Sequence, residues 1–259
     1  MSLPVKTIET DCRRLFQGTA PDDAAHPRAF SGLGRRHPGR HGTPRLLNTP
    51  LDKKHDRSYH YGMSKGEQTR AAILDAALAQ ASEAGFESLT IGALAHRAGM
   101  SKSGLFAHFG SREELQVAAI EAAAARFTET VFVPALKAKR GLPRLRALFE
   151  HWMDWTVRSG LAHGCPMHAA AVEFDDRPGP IRDAVVDHFA RLERELGRAV
   201  KLAIDERHFR RDLDVDQFVF ELMGLIFAYH HGARLFDVKR AQLRARAAFD
   251  RLVAAASPT

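Results

Sequence analysis

From Ser64 onward, apolar residues recur at intervals of three and four, the spacing of one face of an α-helix, and no stretch alternates in the manner of a half-buried strand. A chain patterned this way can bury its apolar stripes only by packing helix on helix. The first stripe is Ile73, Leu74, Ala77, Leu78 and Ala81, closed by Gly85. Later stripes are Leu145, Leu148, Phe149, Trp152 and Trp155, then Val185, Phe189, Leu192, Leu196 and Val200. Phe218, Leu222, Leu225, Ile226 and Tyr229 begin a last long pair, completed by Leu243, Ala247 and Leu252. Ser64 with Glu67, Ser111 with Glu114 and Asp214 with Gln217 have the spacing of helix-capping pairs, and each precedes a stripe. The pattern predicts an all-α fold of about nine helices with no internal repeat.

Residues 1–62 break the pattern. They hold six of the twelve prolines, cluster Gly, His and Arg between His26 and Arg45, and show no sustained apolar period. Such a segment buries too little surface to offset its ordering entropy and is expected to be a disordered extension. Asp11, Asp22 and Asp23 argue against an organelle-targeting role, and Met63 followed by Ser64 and Lys65 resembles a natural start, so the extension is read as an over-extended frame. It also carries most of the formal charge of +7: 11 basic against 6 acidic residues lie in 1–62, leaving 27 against 25 for 63–259. Bulk charge is therefore weak evidence for a nucleic-acid partner. Apolar runs such as Leu222 to Tyr229 fall short of the roughly 18 to 20 residues a membrane helix needs. The two cysteines, Cys12 and Cys165, exclude by number a disulfide framework and a four-thiolate metal site, and point to a reducing cytoplasm.

Function is concentrated in residues 89–115, where two short helices are squeezed around one glycine. Thr90 caps a helix whose Ile91, Leu94 and Ala95 face inward; Gly99 supplies a left-handed turn, with Met100 tucked beneath it. Ser101 caps the second helix, whose inward residues are Leu105 and Phe109, leaving Lys102, Ser103, Gly104 and Ala107 outside. Small and cationic side chains on the outer face of a short helix suit close approach to a DNA major groove. Thr90 and Ile91, Leu94 and Ala95, Ala98 to Ser101, Leu105 and Phe106, His108 and Phe109, and the helix start from Ser111 to Leu115 fall in one register. In that register the stretch resembles the DNA-binding domain of the TetR family of bacterial transcriptional repressors.

The resemblance covers about 50 residues from Ser64 to Leu115. It implies a three-helix helix-turn-helix DNA-binding domain at 63–112, a helical ligand-binding and dimerisation domain at 113–259, and a homodimer on a palindromic double-stranded operator. Carried over by position, Thr90, Ser101, His108 and Arg112 contact phosphate, and Lys102 and Ser103 lie nearest the base edges, flanked by Gly104 and Ala107. Phe106 occupies a position where the family usually has a tyrosine whose hydroxyl reaches a phosphate, a contact phenylalanine cannot make. For Thr90, Ser101 and Ser111, plain helix capping is the competing reading, and it does not exclude phosphate contact.

Residues 117–259 show no catalytic constellation: no Glu is followed by His at the third position, and no His-Glu-x-x-His, Gly-x-Ser-x-Gly or phosphate-binding glycine loop occurs. No enzymatic activity, cofactor, metal or membrane partner is expected, and His163, His168, His230 and His231 are read as packing or surface groups. Phe149, Trp152, Met153 and Trp155 are expected to form one wall of a pocket for an unidentified small-molecule effector, and Met167, His168 and Phe189 another. Cys165 caps a short helix begun by Pro166, where the positive helix end lowers a thiol pKa, so a redox sensor stands beside inert packing. Phe218, Leu222, Leu225, Tyr229 and Leu243 are expected to form the dimer interface. The rival readings are a helical small-molecule-binding protein or enzyme without operator binding, and a pure interaction module.

Overall fold

Residues 64–161 and 163–258 are described by the computed structural model; the expectation for residues 1–62 lies outside them. Nine helices occur among the described residues: α1 (Lys65–Ala84), α2 (Ile91–Arg97), α3 (Lys102–Phe109), α4 (Arg112–Phe127), α5 (Leu142–Arg158), α6 (Pro166–Phe174), α7 (Pro180–Asp205), α8 (Val215–Leu235) and α9 (Val238–Ala256). A 3-10 turn, Phe86–Ser88, follows α1. The α4 helix is prolonged by a π-helical turn, Thr128–Phe132, and by one more turn, Val133–Ala135. Pro134 in that last turn has no N–H to offer the carbonyl four residues back, which accounts for local widening of the helix.

The caps read from the sequence form as expected. Ser64 Oγ accepts the Glu67 N–H at 3.3 Å while the Glu67 carboxylate accepts the Ser64 N–H at 2.7 Å. Thr90, Ser101, Ser111 and Asp214 accept the N–H groups of Ala93, Gly104, Glu114 and Gln217 respectively. Each cap satisfies one of the orphan donors at a helix start, worth about 1 kcal/mol.

The α1–α3 unit closes around Ile73, Leu78, Phe86, Leu89, Leu94 and Leu105, all essentially inaccessible, and α4 joins it to the rest through Leu115 and Ala119. In the larger domain Phe127 from α4 meets Trp152 and Trp155 of α5 edge to face, at 5.4 and 5.3 Å between ring centroids. Phe149 stacks on Phe249 of α9 at 4.1 Å. Such ring pairs add about 0.5–1.5 kcal/mol each beyond the area they bury.

The expected dimer stripe is corrected here. Phe218, Leu222 and Tyr229 are buried within the protomer, with Phe218 packed at 5.2 Å from Phe209. The α8 helix is apolar on more than one face, so Phe218, Leu222, Ile226 and Tyr229 turn inward while Phe220 stays 73% exposed on another face. Gly224 and Ala228 are exposed on α8, and Leu243 and Ala247 on α9, with Leu225 half-buried between. These two helices pack along their length as a hairpin, Asp237 capping the start of α9 through the Arg240 N–H at 2.7 Å.

Candidate nucleic-acid interface and ligand cavity

The α2–α3 pair is held rigid from behind. Leu105 and Phe109 are buried, while Ser101, Lys102, Ser103, Phe106 and Ala107 are exposed and Gly104 and His108 half-exposed, so α3 presents one continuous small and cationic face. Gly99 turns between the two helices at φ 65°, a conformation a side chain would strain. The Lys102 side chain crosses the start of α2, where a Cβ on Gly92 would stand 3.3 Å from its Cε. Phe106 is 54% exposed on this face, an apolar ring with no polar atom to offer.

Arg112, expected at a phosphate, is engaged within the protein. Its Nε donates to the Leu89 carbonyl at 2.9 Å, and one terminal nitrogen donates to the Glu87 carbonyl at 2.7 Å and to the Glu87 carboxylate at 3.2 Å. The guanidinium thus ties the start of α4 to the 3-10 turn and closes the unit behind α3. Arg112→Ala is accordingly expected to lower unfolding stability by about 1–2 kcal/mol in urea titration while leaving the salt slope of DNA binding unchanged. A slope shallower by about one unit at unchanged stability would return Arg112 to the phosphate set.

Behind this unit the larger domain encloses a cavity of about 20 Å³, of which Trp152, Met167, His168 and Phe189 are walls. Phe149, Met153 and Trp155 do not line it; they are spent on the packing of α5, Phe149 against Phe249 and Trp155 against Phe127. The sequence reading missed Phe127, Phe227 and, above all, His188 and His230. Both histidines are buried, at 4% and 6% exposure. Burial, reinforced by Arg191 for His188 and by His168 and Arg234 for His230, pushes each imidazole down to about 4. His188 Nδ1 and His230 Nε2 have no hydrogen-bond partner among the described residues.

Cys165 also borders the cavity and caps α6 by accepting the His168 N–H at 3.4 Å. The positive helix end does not win there. The residue is half-buried but its thiol sits in dense surroundings, and that burial pushes it up to about 11, so the redox-sensor reading is withdrawn.

The α6 helix joins the cavity to the α1–α3 unit. Its first turn carries Met167 and His168 on the cavity wall; in its last turn Glu173 accepts the N–H groups of Phe86 and Glu87 at 3.1 and 2.8 Å. Gly85 permits this approach, since a Cβ at its φ of 79° would lie 2.0 Å from a Glu173 carboxylate oxygen. Ser82 Oγ donates to the Gly164 carbonyl at 2.9 Å at the other end of α6, and Arg177 pairs with Glu87 at 2.6 Å.

A helical pair of this kind on a purely helical second domain defines a helix-turn-helix transcriptional regulator. Family models agree: residues 73–119 match that of the bacterial regulatory proteins of the tetR family, and residues 141–249 match that of the tetracyclin repressor-like C-terminal domain. The chain belongs to the tetR family, whose members are DNA-binding, ligand-responsive regulators. No curated protein matches the sequence significantly. Among solved structures, a TetR transcriptional regulator from Chloroflexus aurantiacus is similar at 23% identity and a TM-score of 0.66, over 74% of this chain and 96% of that one. A TetR-family regulator from Cytophaga hutchinsonii is similar at 17% identity and 0.66, over 76% and 98%. AibR, in complex with isovaleryl coenzyme A and operator DNA, is similar at 21% identity and 0.55, over 68% and 96%. These likenesses establish the fold. No described helix is long and apolar enough to cross a membrane.

Proposed function

We propose that the protein is a homodimeric repressor of transcription in the cytoplasm, holding a palindromic operator through α3 of each protomer and releasing it when a small molecule enters the cavity. The observation that carries this reading is the exposed face of α3, with Lys102 and Ser103 foremost and nothing bulky but Phe106 in the way of close approach. Thr90, Ser101 and His108 sit at its edges, where phosphates flank a groove. In a dimer, two such helices must dock at half-sites about 34 Å apart, so any ligand that favours a different spacing lowers operator affinity by shifting the population. The α6 helix supplies the path: a ligand that parts the wall at Met167 and His168 displaces the same helix whose Glu173 holds the α1–α3 unit. AibR, which has been seen with both an acyl-coenzyme A and its operator, gives a precedent for two such sites on this fold.

Lys102→Ala is the decisive test. Selection of bound sequences from a random duplex pool, followed by gel shift, is expected to show an operator for the unmodified protein and a loss of about 1–3 kcal/mol concentrated at one base position for the variant, since lysine donates to guanine acceptors in the major groove. Equal loss on every sequence would reduce Lys102 to a phosphate contact. Failure of the unmodified protein to enrich any sequence would favour the rival reading, a helical ligand-binding protein without an operator.

A further inference from the structure

The cavity identifies the chemistry of what enters it; this inference rests on the proposed ligand-responsive reading and deepens it. Aromatic rings supply most of the wall: Phe127 and Trp152 in edge-to-face contact at 5.4 Å, and Phe189 and Phe227 at 6.1 Å. No carboxylate, lysine or arginine lines it. The charges felt by its histidines are Arg191 from α7 and Arg234 from α8, both positive, together with His168 and His231. A cationic ligand would therefore meet a positive field and no counter-charge. An anionic ligand would have to leave water for a wall without one direct cation, a transfer that costs several kcal/mol even after relaxation. No group of three or more His, Cys, Asp or Glu among the described residues is placed to hold a metal ion.

Two polar groups remain unanswered. His188 Nδ1 and His230 Nε2 are buried without partners, on helices α7 and α8 that both face the cavity. Leaving a buried polar atom unpaired costs about 1–3 kcal/mol, and native structures seldom carry such a cost without a use for it. A neutral imidazole has one donor and one acceptor nitrogen, exchangeable by tautomer. A hydroxyl group both donates and accepts, so its hydrogen-bonding capacity matches the two unanswered nitrogens in kind. We propose that the cavity takes a small uncharged aromatic alcohol of the phenol class, its ring against Phe127, Trp152, Phe189 and Phe227 and its hydroxyl shared by His188 and His230. At about 20 Å³ the space between these walls holds no more than about one water, so entry of a ring requires the walls to part. Phe189, Phe227 and His168, all half-buried, are the side chains on the accessible side. That parting moves His168 and hence α6.

The test uses the full chain and four probes built on one benzene ring: para-cresol, toluene, para-toluate and benzylamine, titrated by calorimetry at pH 7. Para-cresol is expected to bind at least tenfold more tightly than toluene, with para-toluate and benzylamine weaker still. His188→Phe and His230→Phe are each expected to abolish the cresol-over-toluene preference while leaving toluene binding within about threefold, because an aromatic ring is kept at each position and only its nitrogens are lost. Equal affinity for cresol and toluene, tighter binding of para-toluate or benzylamine, or no binding of any probe at millimolar concentration overturns the inference; the comparison in the unmodified protein stands even if a variant misfolds. Operator release is read separately, by gel shift with para-cresol added. Cresol that binds without releasing operator leaves this inference intact and sinks the ligand-responsive reading, whereas a released operator with no hydroxyl preference does the reverse.

Discussion

Ala228→Arg and Ala247→Arg should each yield a folded monomer whose affinity for a palindromic operator falls at least a hundredfold. Both alanines are exposed, one on α8 and one on α9, and both line a groove where the two helices meet. The floor of that groove is made of small residues, Gly232, Ala241 and Ala245 among them, and its flank carries Phe236 at 83% exposure. Small residues let backbones approach closely, and an apolar surface continuous over two helices is what a second copy covers in a four-helix arrangement. Arg240, Arg244 and Arg251 already border the groove. An added arginine therefore brings steric bulk and like charge together across a two-fold axis, where each substitution acts twice. Neither site is in the protomer core, so helicity and unfolding midpoint at low concentration should be unchanged.

The hundredfold figure follows from the geometry of recognition. A dimer gains its second half-site without paying the full cost of association again, and specific sites exceed nonspecific ones by about 10³ to 10⁷ in affinity. Analytical ultracentrifugation at micromolar concentration and a gel shift on a selected operator check both parts. If both variants sediment as dimers, the interface lies elsewhere on the protomer. If they are monomers that still bind operator at the original affinity, the two-half-site mechanism fails.

The helices and their caps were legible because they are local. Ser64, Ser101, Ser111 and Asp214 each announce a helix start within four residues, and each accepts the hydrogen bond its spacing implies. The inward pair Leu105 and Phe109 was legible for the same reason, since eight residues of α3 settle which side is buried. What depends on several helices at once was not. Phe218, Leu222 and Tyr229 form a stripe whose sequence is equally consistent with an interface or a core, and only the arrival of Phe209 and α7 decides for the core. Arg112 reads as a phosphate contact in sequence, and its bonds to the carbonyls of Glu87 and Leu89 appear only in the fold. The cavity draws residues from α4, α5, α6, α7 and α8, so no window of sequence displays it. His188 stands next to Phe189 and His230 next to Tyr229, positions that look like ordinary core packing. Their missing partners, which make them informative, are a property of the assembled fold alone.

Those two histidines also set the response to acid. An unfolded chain takes up a proton on each as pH falls through about 6.5, whereas the folded chain resists until about 4. Between those values the unfolded state binds more protons, so stability must fall as pH falls, and it is fully present only above about 6.5. Each histidine contributes about 3 kcal/mol to the loss by pH 4 and a limiting slope of about 1.4 kcal/mol per pH unit. His151 and His168, also lowered by burial, act in the same direction. Glu83, held down by Arg97, adds its own loss only as pH falls into the ordinary carboxylate range, whereas Glu195, pushed up by burial, opposes the histidines at the acid end; both are common to every variant, so the difference between variants over pH 5 to 6.5 reports the histidines. Urea unfolding across that window should show the slope in the unmodified protein, about 1 kcal/mol per pH unit less of it in His230→Phe, and least in the His188→Phe, His230→Phe double variant. A double variant with the original slope would mean that both imidazoles titrate normally in the folded chain, and that the cavity wall is wetter than its burial implies.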